Sequence, residues 1–155
     1  MKNSNCCSVC NFEFSPQTKV YESEYWRVDL SDNQAYLGRS IVSLNRHAEN
    51  LSELSSQEWQ ELKAIINRFE KALTSIFNTT SFNWTALMND AYKSPSPQPD
   101  VHFHVWPRYR DAPKVNNELF SDPNFAHHYD KTAERSVSDE TMAAIHDKIT
   151  QTMDL

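Results

Sequence analysis

An α+β fold is predicted for this 155-residue chain by three features of its sequence. One long amphipathic helix is preceded by its own capping signal. Short segments of alternating polarity lie on both sides of it, and no internal repeat is present. The expected architecture is an antiparallel sheet of about five strands, with the long helix packed across it and a short C-terminal helix. The expected organisation is a single domain over 1–155, with a cysteine-bearing lead-in at 1–17 and a C-terminal extension at 111–155.

The elements follow in order. From Lys19 to Leu30, the residues Val20, Tyr25, Trp26 and Val28 predict two short strands, with Ser31 to Gln34 as the turn after them. Arg39 to Leu44 alternates at period two, as a half-buried strand does. Ser55 with Glu58 three residues on forms a capping box. Behind it, Trp59, Leu62, Ile66, Phe69, Leu73 and Ile76 recur at steps of three and four, one apolar stripe along about five turns. Phe82 to Met88 reads as a strand, and a turn-rich stretch, Lys93 to Pro99, feeds the next one. There Val101, Phe103 and Val105 take one face while Asp100, His102, His104 and Trp106 take the other. Pro107 is expected to end or bulge that strand. Ser138 opens the C-terminal helix through Met142, Ile145 and Ile149.

Composition narrows the function. Hydrophobic residues at 39% and charged residues at 23% make a folded globular chain rather than a disordered one. No apolar run approaches the roughly 18–20 residues of a membrane helix, and the polar start carries no signal-peptide core; a cytoplasmic protein with no membrane partner is expected. Lys plus Arg number 15 against 21 Asp plus Glu, a net charge of −6 that disfavours a nucleic-acid groove. A single small phosphate needs only two or three local cations, so it remains an admissible ligand. Gly38 is the only glycine, where average usage would give roughly eleven. A glycine-rich phosphate loop cannot be built; side chains and element ends must hold any phosphate.

His102 and His104 leave the same strand face, about 6.6 Å apart at the backbone. One phosphate fits between two such rings. A neutral imidazole can attack phosphorus, dividing a difficult transfer to water into two displacements. The second can donate a hydrogen bond to a phosphate oxygen or protonate the leaving oxygen. Arg108 offers a planar fork for phosphate charge. By spacing alone, a metal site using Asp100, His102 and His104, or ordinary surface histidines, are equally open. Cys6, Cys7 and Cys10 are too few and too clustered for a disulfide framework; they are metal ligands or free thiols. His127 and His128 are surface residues, or part of a tail closing over a neighbouring site.

The run Asp100-Val101-His102-Phe103-His104-Val105-Trp106-Pro107-Arg108 resembles the His-x-His-x-His strand of the histidine-triad family, with Asp100 at the first histidine. The resemblance extends to Gly38-Arg39-Ser40-Ile41-Val42-Ser43-Leu44-Asn45-Arg46-His47, to Asn50–Leu54 and the capped helix, to Cys7-Ser8-Val9-Cys10, and to the tail segments Phe120–Phe125 and His128-Tyr129-Asp130, which look like one bacterial subgroup. It implies a nucleotide hydrolase or nucleotidyl transferase in which His102 is the nucleophile at an α-phosphate and forms a nucleotidyl-histidine. Substrates would be dinucleoside polyphosphates, nucleoside phosphoramidates or adenylylated groups. It places Asp29 on the ribose and Asn89 near the phosphates, with Arg39, Asp100 and Arg108 completing the substrate-binding set. It implies a homodimer, no cofactor required for catalysis, and a possible structural zinc on Cys7, Cys10, His47 and Asp100. Arg39 stands where the family has histidine, Leu44 where it has proline, and Ser96 where it has the glutamine before the triad. Loss of the first histidine leaves a second reading, a nucleotide-binding module with weakened catalysis.

Overall fold

The computed structural model describes residues 17–153, so Cys7, Cys10 and most of the expected lead-in lie outside the described residues. The order of elements is β1 (Lys19–Glu22), β2 (Trp26–Leu30), β3 (Ser40–Leu44), α1 (Ser56–Phe77), β4 (Ser81–Thr85), β5 (His102–Arg108), β6 (Lys114–Val115), β7 (Glu118–Leu119) and α2 (Asp139–Met153). Single 3-10 turns sit at Leu51–Glu53 and Asn89–Lys93. The first five strands form one antiparallel sheet in the order β1-β2-β3-β5-β4, which is the α+β architecture expected.

The helix starts where its cap dictates: the Ser55 side chain accepts from the Glu58 amide, and the Glu58 carboxylate accepts from the Ser55 amide at 2.7 Å. It ends at Asn78, whose φ of 56° is left-handed. The buried stripe is rotated from the predicted one. Leu62, Phe69 and Leu73 are buried as expected, but Ile65, Ala72 and Phe77 join them while Trp59 is 42% exposed. The Trp26 ring sits at that end of the interface instead, its Nε1–H donating to the Glu58 carbonyl at 2.8 Å.

Residues paired across neighbouring strands share a face. Val28 pairs with Val42 and Val42 with Phe103; Leu30 pairs with Ser40, Ser40 with Val105, and Val105 with Trp84. This face packs with α1 into one apolar cluster that also takes in Val115, Phe120, Ile145, Ile149 and Met153 of the C-terminal part. Its embedded polar groups are satisfied: Ser40 Oγ donates to the Gly38 carbonyl at 2.9 Å, and Trp84 Nε1–H to Glu70 at 2.8 Å. Gly38 turns into β3 at φ +77°, and a Cβ there would lie 2.8 Å from Leu73 Cδ2. Both the handedness and the close approach require the one glycine of the chain.

Three expectations need correction. Pro107 neither ends nor bulges β5; it pairs in register with Phe82. The Arg108 carbonyl accepts from Thr80 on the β4 side, so position 107 turns its ring nitrogen to the β3 side, where pairing has stopped at Val105. The strand predicted over Phe82 to Met88 stops at Thr85 because the chain turns into the 3-10 segment. A small β6–β7 hairpin was not foreseen: Asn116 and Asn117, at φ 47° and 65°, make a two-residue turn without the glycine that usually announces one.

Candidate active site

The sheet face away from α1 carries the candidate site. Two rows of cross-strand neighbours define it: Asp29, Ile41, His104 and Thr85 in one, Arg27, Ser43 and His102 in the next. The rows run across β2, β3, β5 and β4, so Asp29 stands two strands, about 10 Å, from the histidine strand.

His102 Nδ1 lies 2.8 Å from the Asp100 carbonyl oxygen. A carbonyl only accepts, so Nδ1 carries the proton and Nε2 is left with a bare lone pair. His102 Nε2 and His104 Nε2 are 3.2 Å apart, which makes His104 Nε2–H the donor of that pair. The rings meet nearly edge to face, with centroids 4.9 Å apart and planes at 80°. Burial holds the His104 pKa down at about 4, assisted by the neighbouring His102 ring and the charge of Arg39 and opposed by Asp90. His104 is therefore a neutral donor at physiological pH.

Asp100 enters through its backbone. Its side chain is 1% exposed and is turned to the β3–α1 connection; Oδ1 accepts from the amides of Ala48 and Val101 at 3.1 Å each and lies 3.4 Å from His47 Nδ1. Asp100, His102 and His104 accordingly do not form a metal-binding group, and among the described residues no three His, Cys, Asp or Glu side chains do.

Arg108, expected as a fork for phosphate, is committed elsewhere. Its five N–H donors reach five acceptors: Asp122 Oδ2 at 2.7 Å and Oδ1 at 3.1 Å, Asn83 Oδ1 at 3.0 Å, and the carbonyls of His127 at 2.9 Å and Asn124 at 2.6 Å. With Arg108 3% exposed, this ion pair clasps the tail onto the sheet. The tail then reaches β4, where His127, His128 and Tyr129 line a cavity of about 500 Å³ with Asn83 and Thr85. Sequence spacing could not show that four of the five acceptors arrive from residues 122–127.

Arg39 does lie beside the histidines. Its Cζ is 3.8 Å from the Trp106 ring centroid, and Tyr129 stacks on the same ring at 4.3 Å and 14°. Two groups that close must take opposite faces of the indole. Asp29 is buried, accepting from Arg27 Nε at 2.8 Å, and burial pushes its pKa up against the pull of Arg27. Asn89 is exposed in the turn after β4, beside Asp90. Sequence reasoning placed Trp106 on the histidine face but gave no part to Ser43, Thr85 or Tyr129. The register could have found the first two, since they are cross-strand neighbours of His102 and His104.

No protein-family profile matches the chain. The Hit protein of Bacillus subtilis (strain 168) is 27% identical over 94 residues, which span 61% of this chain and 63% of that protein. A hypothetical histidine triad nucleotide-binding protein from Sulfolobus tokodaii superposes with a TM-score of 0.65 at 16% identity, covering 96% of this chain and 90% of its own. Plasmodium falciparum diadenosine triphosphate hydrolase superposes with a TM-score of 0.60 at 16% identity, covering 90% of this chain and 78% of its own. Strand order, the helix across one face and the paired histidines on the other are thus set in the histidine-triad fold.

Proposed function

We propose that this protein is a nucleotide hydrolase or nucleotidyl transferase of the histidine-triad type, with His102 as nucleophile. The observation that carries this is the 2.8 Å contact from His102 Nδ1 to the Asp100 carbonyl, which leaves Nε2 unprotonated beside His104. In the first displacement the Nε2 lone pair forms a bond to the α-phosphorus while the bond to the leaving group breaks. The leaving group departs with that electron pair. His102 becomes a cationic nucleotidyl-imidazolium, and its retained Nδ1–H strengthens the bond to the Asp100 carbonyl. His104, neutral and donating from Nε2, exchanges His102 for a phosphate oxygen. Water, or another acceptor, then attacks phosphorus, the N–P bond breaks with its electron pair returning to His102 Nε2, and the proton of the attacking oxygen passes to solvent.

The fold match to a diadenosine triphosphate hydrolase supports a nucleoside polyphosphate among the substrate classes expected, beside phosphoramidates and adenylylated groups. Because the Asp100 backbone rather than its side chain orients the nucleophile, the exchange of histidine for aspartate at this position does not itself disable the attack. That favours catalysis over the weakened binding module. Asp29 remains the proposed ribose partner and Asn89 a proposed phosphate neighbour. Mass spectrometry of the protein after brief mixing with diadenosine polyphosphate, an adenosine phosphoramidate and adenylylated lysine, in chelator, tests the reading. A nucleotidyl adduct is expected on the wild type and none on His102→Ala, which should still bind nucleotide. Undiminished turnover by His102→Ala would sink it.

A structural zinc is proposed on the resemblance. His47 Nδ1 and Asp100 Oδ1, 3.4 Å apart, are the half of the donor set that the described residues contain, and nitrogen and carboxylate oxygen suit the ion. Zinc there would tie the start of the chain to the β3–α1 connection. One zinc per chain by elemental analysis, and a melting temperature lowered by chelator, are expected; neither readout depends on activity. A homodimer is proposed on the same ground, and sedimentation would measure it.

A further inference from the structure

Unpartnered polar atoms are unevenly distributed. Among the described residues, six buried side-chain nitrogen or oxygen atoms have no hydrogen-bond partner, and five of them belong to Asp29, Arg39, Ser43, Thr85 and Trp106, on or at the margin of the histidine face. Buried polar groups are ordinarily paired, and each one left alone costs free energy. Around His104 three of them converge. Thr85 is its cross-strand neighbour, and Trp106 is the next residue on its face of β5, with ring centroids 6.4 Å apart. Arg39 stacks on Trp106 close enough for its charge to depress the His104 pKa. No carboxylate neutralises that guanidinium among the described residues: burial pulls its pKa below the usual arginine value, opposed only by the phenols of Tyr129 and Tyr36. The acid that acts on His104, Asp90, is exposed and bound to Lys93 at 2.7 Å.

A fixed cation with an indole N–H and a hydroxyl beside it, and no anion, is a site shaped for oxyanions. We infer that Arg39, with Trp106 Nε1–H and Thr85 Oγ, holds a second phosphate group of the substrate, next to the one placed between His102 and His104. This rests on the proposed reading that the histidines receive a nucleotide phosphate, and it deepens it: the substrate class is narrowed to nucleotides with a phosphate in the leaving group. A neutral amine leaving group would leave Arg39 buried and unneutralised.

Calorimetric binding of nucleoside monophosphate and of the uncleavable α,β-methylene diphosphate, in adenosine and guanosine series and in chelator, tests this. The wild type is expected to bind the diphosphate analogue about tenfold or more tighter than the monophosphate, the range one charge-assisted hydrogen-bonding group provides. In Arg39→Gln that ratio falls below about threefold, and Arg39→Lys, which keeps the charge, retains most of it. Should Arg39→Gln not fold, the lysine variant and Thr85→Val are compared instead, and Thr85→Val also lowers the ratio. A wild-type ratio near one, a ratio unchanged in these variants, or no binding of either nucleotide would overturn the inference. Turnover by His102→Ala is measured alongside. If that variant remains active while the Arg39-dependent ratio stands, nucleotidyl transfer through His102 fails and the phosphate pocket survives.

Discussion

The two faces of the five-stranded sheet are made of alternate residues of the same strands, yet they obey different rules. On the α1 face, Val28, Val42, Val105 and Trp26 are at 0% exposure, and the polar groups among them, Ser40 Oγ and Trp26 Nε1, have partners. On the other face Ser43, Thr85 and Trp106 carry buried polar atoms with none, and His104 is held neutral by burial. The first face is complete without a ligand. The second leaves buried hydrogen-bonding groups unmet, at a cost in stability.

The sharpest way to break this contrast is to change one residue on each face. His102→Ala is expected to lower turnover by about a thousandfold or more, the scale on which removing a nucleophile acts, with the melting temperature little altered. Phe69→Ala, in the α1 stripe, should cost about 3–5 kcal/mol of stability by leaving a cavity, measured by denaturant unfolding, while turnover per folded molecule persists. A variant in which stability and turnover fall together would show that the faces are not independent.

Arg108 tests the boundary between them. Replacing it by Met strands the Asp122 carboxylate, whose side chain is 1% exposed, at a cost of about 3–5 kcal/mol. It should also free residues 122–129 to proteolysis, read by limited chymotrypsin cleavage at Phe125 and Tyr129; a tail that stays protected would show that Tyr129 stacking alone suffices. Gly38→Ala brings a methyl against Leu73 at a left-handed position and should cost about 1–3 kcal/mol, with the effect confined to stability.

The smallest effect is a pH dependence. The folded pKa of His104, about 4, lies below its ordinary 6.5. Between those values the unfolded chain takes up a proton that the folded chain refuses. Its contribution to stability is thus whole above pH 6.5 and is lost as pH falls toward 4. His104→Gln should flatten that part of the stability profile, and an unchanged slope would mean that the ring is less desolvated than its surroundings indicate.

Much of the frame is legible in the sequence because it rests on short-range periodicity. The capping box places the start of α1, alternation in 39–44 and 101–106 marks β3 and β5, and period two alone puts His102 and His104 on one face. Where prediction slipped, a longer-range contact won. Trp59 is exposed because Trp26, thirty-three residues upstream, already closes that end of the core. Pro107 stays in its strand because β3 has ended beside it.

The site divides in the same way. The sequence by itself determined which residues could do chemistry: two imidazoles a strand step apart, and no glycine-rich loop to compete with them. Only the tertiary structure decided how each is used. It turned the Asp100 carbonyl, not its carboxylate, toward His102, spent the donors of Arg108 on Asn83 and the tail, and left Arg39 beside the histidines with no carboxylate partner among the described residues. The reason is that a side chain's chemistry is local, whereas its hydrogen-bond partners arrive from segments that only strand register and chain return bring within reach.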